Sequence, residues 1–190
     1  MNRRILIRTI AIGTVAVASY PVYKWTELKG RPDFLYLNSQ KNLISELAET
    51  IIPATDTPGA KDTLTENFII RTIHDCTDIA SQNNFIKGLK NLEELCFSSF
   101  NLSYVSCTIK QREIILTHFE EESKRYPGII GKIQNKLLGK PFFYLLREYT
   151  VQGYCTSMLG ATKGLAYEFI PGTFDGCTPL KPLQKSWATK

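Results

Sequence analysis

The stretch Leu43–Phe68, LISELAETIIPATDTPGAKDTLTENF, divides into a helical segment, a turn-rich segment of eight residues and a second helical segment. Pro53 lacks a backbone donor and disfavours the helical conformation of the residue before it, so the first helix is predicted to end there. The apolar residues before Pro53 recur at helical spacing on one face: Leu43, Ile44, Leu47, Ile51 and Ile52.

The segment after Pro53 is rich in turn-forming residues. Asp56, Pro58 and Gly59 supply an Asx side chain, a fixed φ and access to positive φ. Thr63, followed three residues later by Glu66, matches a capping box and predicts that the next helix begins at about residue 64. The stretch contains no nucleophile with a base and no set of metal ligands. It therefore predicts a shaped surface loop between two core helices.

Residues Glu46–Ala60, ELAETIIPATDTPGA, resemble the signature near the start of the small (gamma) subunits of gluconate 2-dehydrogenase. Phe142–Gly160 resembles an aromatic-rich helix of that family, and Tyr167–Pro179 resembles its closing motif. The resemblance implies a non-catalytic small subunit of a complex whose FAD is held by a GMC-type dehydrogenase subunit, often with a haem c–bearing cytochrome subunit. It implies that this chain binds no cofactor itself and reaches the membrane only through the complex. The substrate is not indicated, since gluconate is only the family label.

The first 18 residues have the character of a targeting segment rather than of a folded element. Arg3 and Arg4 lie in Asn2–Ile7, which resembles a twin-arginine export signal, and Ala16–Ala18 matches a small-residue cleavage site. The alternative is an uncleaved anchor, but the apolar run is shorter than the ~20 residues that span a bilayer. We therefore expect a periplasmic protein, associated with the inner membrane through its complex.

The positive charge of the chain is concentrated at its start. The 190 residues are 43% apolar, enough for a real core, and carry a net charge of +5 with a pI of about 8.9. Arg3, Arg4 and Arg8 supply three of those charges, and residues 1–18 contain no acid. The remaining domain is nearly neutral, which removes the electrostatic case for nucleic-acid binding.

The chain as a whole predicts an all-α fold with one small domain of about five helices. Residues 19–37 are expected to form an irregular lead-in, 38–164 the helical domain and 165–190 an extended tail. In the lead-in, Phe34, Leu35 and Leu37 are expected to pack on the domain.

The five helices are predicted at about 39–52, 64–79, 85–100, from Thr108 and from Pro141. Thr108 with Gln111 matches a second capping box, and Ser81–Asn84 is expected to be a linker. The side chains predicted to face inward from the second and third helices are Leu64, Phe68, Ile69, Ile73, Cys76, Phe85, Leu89, Leu92, Cys96, Phe97 and Phe100.

Candidate chemistry is sparse. His74 and Cys76 are two residues apart on a helix and do not share a face, so thiol catalysis with His118 is disfavoured. The two histidines lack the spacing of a metal site, and no GxGxxG or P-loop motif occurs. The tyrosines are expected to be core or interface aromatics. The residues proposed for a partner interface are Asp56, Pro58, Gly59, Tyr154, Tyr167, Pro171 and Phe174.

Two other functions compete with a small subunit. One is an enzyme in its own right, which retained flavin, haem or iron–sulfur absorbance would favour. The other is a free-standing periplasmic helical binding module, which a monomer without a flavoprotein partner would favour.

The five cysteines contain no CxxC motif, and in an oxidising compartment some of them are expected to pair. A hairpin would bring Cys96 and Cys107 within disulfide distance. Cys76 and Cys155 are most simply core thiols. Cys177 lies in the tail and is predicted to bond either within the chain, with Cys155 as its mate, or to the catalytic partner.

Overall fold

The computed structural model describes residues 29–124, 131, 135–136, 138–170, 172, 177, 179 and 182–188. Over these residues the fold is all-α, as predicted, and its only β-type pairing is a single parallel bridge between Ala166 and Trp187. The elements are helices α1 (Phe34–Ser39), α2 (Lys41–Ile51), α3 (Thr65–Cys76), α4 (Ile79–Phe100), α5 (Ile109–Ser123) and α6 (Phe142–Thr156), a 3₁₀ turn (Tyr104–Ser106) and a π-helical turn (Gly160–Gly164).

Helices α2 to α6 confirm the five predicted helices, whereas α1 was not predicted. The expected irregular lead-in gives way to helix at Phe34, because the Asp33 carboxylate caps α1 by accepting a hydrogen bond from Tyr36 N at 2.9 Å. The predicted export segment at 1–18 lies outside the described residues. No helix within the described ranges combines the length and the apolar character needed to cross a bilayer.

Helix α6 is the central element and contacts α2, α3, α4 and α5. Its residues are apolar around most of its circumference, which is the pattern of a helix surrounded by others. Gly88 of α4 permits the closest approach, since a Cβ at that position would lie 2.2 Å from Cγ of Phe142. The Phe142 ring in turn lies 5.3 Å from Phe85 and 5.5 Å from Phe119, centroid to centroid. One aromatic cluster therefore joins α4, α5 and α6.

Helix ends follow the predicted boundary signals at three of four places, including Pro141, which directly precedes α6. Helix α2 ends at Ile51, just before Pro53, and α5 begins after Thr108, whose backbone N–H donates to Gln111 Oε1 at 2.9 Å as a capping box requires. The capping box predicted at Thr63 is wrong. Helix α3 begins after Leu64, which adopts the left-handed conformation (φ 51°), while the Thr63 hydroxyl donates to Ala60 O within the preceding turn.

The predicted linker Ser81–Asn84 is also wrong, because these residues form the first turns of α4. Asp78 caps the helix by accepting from Ser81 N at 3.0 Å. Gln82 Nε2 donates to the carbonyls of Ile73 and His74, which are left without partners at the end of α3. Gln82, one of the polar residues that suggested a linker, thus connects the start of α4 to the end of α3.

Four side chains predicted to pack inward are exposed: Leu35, Leu64, Cys76 and Phe97. Each lies beside a buried neighbour or at a helix end. At these positions the helix has more apolar residues than the face that packs on the core can bury. Phe97 follows the fully buried Cys96 and points about 100° away from it around the helix. The core itself is formed by residues including Leu37, Ile44, Leu47, Ile69, Ile73, Phe85, Leu89, Leu92, Cys96, Tyr104, Ile115, Leu145 and Leu146.

Candidate partner interface

The loop between α2 and α3, residues 52–64, is shaped by one carboxylate. Glu49 Oε1 accepts a hydrogen bond from Ala54 N, and Glu49 Oε2 accepts one from Lys61 N, both at 2.9 Å. The loop is closed at its base by a hydrogen bond of 2.9 Å from Ala60 N to Ile52 O. Backbone donors at both ends of the loop are therefore satisfied by the helix that precedes it, which fixes the loop conformation.

A second carboxylate one turn earlier anchors the loop to the rest of the domain. Glu46 accepts from Lys61 Nζ through Oε1 and from Arg112 of α5 through Oε2, each at 2.6 Å. Burial of the carboxyl opposes its ionisation, but the hydrogen bonds and charges of Lys61 and Arg112 outweigh it and hold the pKa of Glu46 below its usual value. Glu46 is therefore an ionised bridge between the loop and α5.

Arg112 is held in place from the other side. Its Nε donates to Cys107 O at 3.0 Å and its NH2 group donates to Val105 O at 2.7 Å, so the guanidinium joins the 3₁₀ turn to Glu46. The ring of Tyr104, fully buried, lies under this guanidinium, and its hydroxyl donates to Thr50 Oγ1 of α2 at 2.9 Å. Burial raises the pKa of Tyr104, so the hydroxyl stays a donor.

Gly59 allows the loop to pack tightly. A Cβ there would lie 2.6 Å from both carboxylate oxygens of Glu49 and 2.7 Å from Ala54 N. Its own N–H donates to Asp62 Oδ2 at 2.9 Å. The position requires glycine for close approach to the Glu49 carboxylate and the loop backbone.

Helix α6, which lies near the C-terminal end of the helical domain, also contacts the loop. The Tyr154 hydroxyl donates to Pro58 O at 2.9 Å across 96 residues. Gly164 packs against the same hydroxyl, so that a Cβ there would lie 2.2 Å from it. The loop 52–64, the end of α6 and the π turn 160–164 therefore meet at one place.

Several exposed apolar side chains lie close in sequence to the residues of that meeting point. Residues 53–56 at the loop tip are exposed, as is Leu64 at the loop's end. Met158 follows α6 and is 77% exposed, while Phe169 and Ile170, which follow the π turn, are 84% and 76% exposed. We call this set, Leu64, Met158, Tyr167, Phe169 and Ile170 together with loop residues 53–56, the apical surface. Large apolar side chains left in solvent are typical of a protein–protein contact surface.

The predicted interface residues have different positions in the structure. Asp56 is exposed at the loop tip, Pro58 is half-buried and Tyr167 is 43% exposed on the apical surface. Gly59 and Tyr154 are buried beneath that surface and support it rather than present it. Pro171 and Phe174, like Arg3 and Arg4, lie outside the described residues.

Three charged side chains that shape the loop, Glu46, Glu49 and Arg112, were not among the residues predicted from the sequence. The available signal was the spacing of the two acids, three residues apart on the polar side of an amphipathic helix that ends in a turn. Arg112 carried no such signal, because its partner Glu46 is 66 residues away.

The candidate catalytic residues of the sequence are not brought together. His74 stacks on Phe34 with ring centroids 4.2 Å apart and pairs with the adjacent Asp75, and His118 is exposed on α5. A shallow groove of about 500 Å³ beside His74 is lined by Asn38, Lys41, Asn67, Ile70, Arg71, His74 and Asp75. In the described part of the chain, no three His, Cys, Asp or Glu side chains cluster closely enough to hold a metal ion.

The cysteines fall into three environments: buried, half-buried and exposed. Cys96 and Cys107 are buried and adjacent, as the hairpin prediction required, whereas Cys76 is exposed at the end of α3 and is not a core thiol. Cys155 is half-buried on α6 and is not part of the core, contrary to the prediction of a core thiol, and Cys177 is exposed in the tail. The predicted bond of Cys177 to Cys155 or to a partner stays a prediction.

Comparison with known families gives one match. The family model described as gluconate 2-dehydrogenase subunit 3 matches residues 38–172, which is more than half of the chain and includes loop 52–64, α6 and the π turn. No curated protein and no solved structure matches the chain.

Proposed function

The chain belongs to the gluconate 2-dehydrogenase subunit 3 family, and on that premise we propose that it is the non-catalytic small subunit of a periplasmic, FAD-dependent dehydrogenase complex. In that complex it supports the export and the stability of the catalytic flavoprotein subunit. The flavoprotein carries the FAD, and a cytochrome subunit, where one is present, carries haem c. The small subunit contributes surface rather than redox chemistry.

One observation carries this proposal. The stretch that resembles the family, Glu46–Ala60, contributes the carboxylates of Glu46 and Glu49 to the shape of loop 52–64, through Ala54 N, Lys61 N, Lys61 Nζ and Arg112. Carboxylates that act on a substrate need access to it, whereas these are engaged by backbone and cationic donors of the chain itself. We infer that this stretch is recognised by a partner through the shape of loop 52–64 and not through carboxylate chemistry.

The surroundings of the loop support a protein partner rather than a small molecule. Met158, Phe169 and Ile170 are in solvent on the segments that follow Tyr154 and Gly164, which meet a loop that is tied down at both ends. A preformed loop loses little conformational entropy on binding, and exposed large apolar side chains gain free energy when a partner covers them. We infer that the flavoprotein subunit binds this surface.

Export follows from the same proposal. The paired Arg3 and Arg4 would direct a folded small subunit, with the flavoprotein bound to it, through the twin-arginine route. A preformed apical surface could bind the flavoprotein before translocation. The two folded subunits could then be transported as an assembled pair.

The experiment is affinity purification of the tagged full chain from cells that encode it, followed by absorbance spectra and mass spectrometry of the eluate. We expect a flavoprotein dehydrogenase in near-equimolar amount, with flavin absorbance that follows the flavoprotein and not the small chain on separation. A monodisperse monomer without a flavoprotein would contradict the proposal and favour a free-standing binding module. Flavin or haem absorbance retained by the isolated chain would also contradict it and favour an enzyme.

A further inference from the structure

The end of α4 and the start of α5 are joined by a tight reversal of the chain. Helix α4 ends at Phe100, and Asn101 takes the left-handed conformation (φ 55°) that turns the chain back. The 3₁₀ turn then returns along α4, where Tyr104 N donates to Glu93 Oε1 at 3.3 Å. Cys107 follows this turn, and Cys96 lies three residues after Glu93, on the same side of α4.

This reversal brings the two thiols close to each other in the core. Cys96 is fully buried and Cys107 is 5% exposed, and Cys107 is near enough to contribute to the raised pKa of Cys96. The neighbours that enclose them are also fixed, because Cys107 O accepts from Arg112 Nε and Cys107 N donates to Tyr104 O. Two cysteines that approach each other across a chain reversal can be bridged by a disulfide.

We propose that Cys96 and Cys107 form an intrachain disulfide when the chain folds under oxidising conditions. In that step each thiol gives up one proton and one electron, and one S–S bond forms between the two sulfur atoms. A disulfide oxidant takes both electrons, its own S–S bond breaks and two thiols leave. The proposal rests on contacts within the chain and does not depend on the proposed function.

The bond forms while the chain folds rather than afterwards. Burial, with the neighbouring Cys107 and Glu93, raises the pKa of Cys96 to about 12, so its thiolate is scarce once the core is closed. During folding the hairpin is open to the oxidant, and the chain reversal keeps the two thiols near each other. The closed bond is then protected from reductants by the same burial.

The disulfide has a structural consequence for the apical surface. It closes a short loop that contains the 3₁₀ turn, whose Val105 O and the adjacent Cys107 O orient Arg112 toward Glu46. Fixing this loop constrains the cation that anchors loop 52–64. In the chain-entropy account, closing a loop of this length raises the folding equilibrium constant by about a hundredfold.

The test is oxidative refolding of the full chain. Reduced, denatured chain is refolded in a buffer of oxidised and reduced glutathione, the remaining thiols are alkylated, and peptides are mapped by mass spectrometry. We expect one dominant cross-linked peptide pair containing Cys96 and Cys107, and a folding equilibrium constant about a hundredfold lower when the chain is kept reduced. The Cys76→Ser variant, which alters an exposed thiol, should retain both results, and the Cys107→Ser variant should lose both.

Peptide mapping of the unaltered chain decides the question even if Cys107→Ser fails to fold. Full alkylation of Cys96 and Cys107 after oxidative refolding would overturn the proposal. Preferential pairing of Cys96 with Cys76, Cys155 or Cys177 would overturn it as well.

Discussion

The hydroxyl of Tyr154 donates a 2.9 Å hydrogen bond to the carbonyl oxygen of Pro58 and so joins the two stretches that resemble the family most closely. Pro58 belongs to loop 52–64 and Tyr154 to the central helix α6. Their contact brings the first and last thirds of the domain together at the apical surface. It also explains why a tyrosine is buried there, since its ring fills space beneath the loop while its hydroxyl satisfies a backbone acceptor.

Replacing Tyr154 with phenylalanine isolates this hydrogen bond. We expect Tyr154→Phe to lower the free energy of unfolding by about 1 kcal/mol, because the ring still packs but Pro58 O loses its donor. Urea denaturation measures the change. The matched control is Tyr144→Phe on the exposed side of α6, which should change stability by less than about 0.5 kcal/mol. Equal losses of unfolding free energy in the two variants would contradict a stabilising role for the hydrogen bond from Tyr154 to Pro58 O.

Gly59 provides a second test of how the loop is built. A Cβ at Gly59 would lie within 2.7 Å of Glu49 and Ala54, so Gly59→Ala must displace the carboxylate or the backbone. We expect a loss of about 1–3 kcal/mol in the free energy of unfolding, typical of overpacking. Gly172→Ala is the control, since no atom lies within 4 Å of the Cβ it adds. A stable Gly59→Ala variant with unchanged amide protection in residues 53–61 would refute the packing argument.

The Glu46 bridge predicts a defined pH dependence. Its pKa is lower in the folded chain than its ordinary value of 4.5, so its stabilising contribution is complete above about pH 4.5 and is lost as the pH falls through the folded pKa. Glu46→Gln should therefore be less stable than the unaltered chain by about 1–2 kcal/mol at neutral pH, with the difference shrinking below pH 4.5. Denaturation at a series of pH values measures this. For Glu113→Gln, an exposed position on α5, we expect no such difference, and a pH-independent gap for Glu46→Gln would contradict the bridge.

Export is tested through the paired arginines. Replacing Arg3 and Arg4 together by lysine keeps the charge but removes the arginine pair on which the resemblance to a twin-arginine signal depends. We expect the chain, and the flavoprotein that travels with it, to remain in the cytoplasm on fractionation. Arg8→Lys, outside the pair, is the control and should be exported normally. Normal periplasmic amounts of the flavoprotein in the double variant would contradict the export proposal.

Local signals in the sequence were sufficient for most of the fold. The apolar spacing of α2 to α6, the stop before Pro53 and the Thr108–Gln111 capping box depend on residues within about one helical turn, and the structure contains each of them. These features are predictable because their energetics are local.

Prediction failed where one specific side-chain contact, rather than composition or spacing, decides the outcome. Ser81–Asn84 has loop composition, yet it is helical because Gln82 and Asp78 satisfy helix ends. Thr63 matches a capping box, yet its hydroxyl is engaged by Ala60 O in the turn. Glu46 meets Arg112 only after the whole domain has folded. Composition and spacing do not show which of these contacts a side chain makes, whether its partner is three residues away, as for Thr63, or 66, as for Arg112.

The candidate interface could be predicted only in part, because burial in the folded domain cannot be read from the sequence. The predicted interface residues included Pro58, Gly59 and Tyr154, which the structure does bring together, because those residues belong to recognisable stretches. Residues that support the surface could not be separated in the sequence from residues that present it. That distinction depends on burial, which places Gly59 and Tyr154 beneath the surface and Met158 and Phe169 upon it.

The central claim is that the apical surface binds the flavoprotein subunit, and the most direct measurement is the affinity of purified flavoprotein for the full chain carrying Met158→Glu and Phe169→Glu together. Both side chains are more than three quarters exposed, so the double variant should fold with unchanged thermal stability. We expect its affinity to fall by at least about a hundredfold, because two charges would be buried where apolar contacts were. The control, Ile109→Glu with Ile114→Glu on α5, should bind as the unaltered chain does. Undiminished affinity of the apical variant, or an equal loss in the control, would contradict the claim.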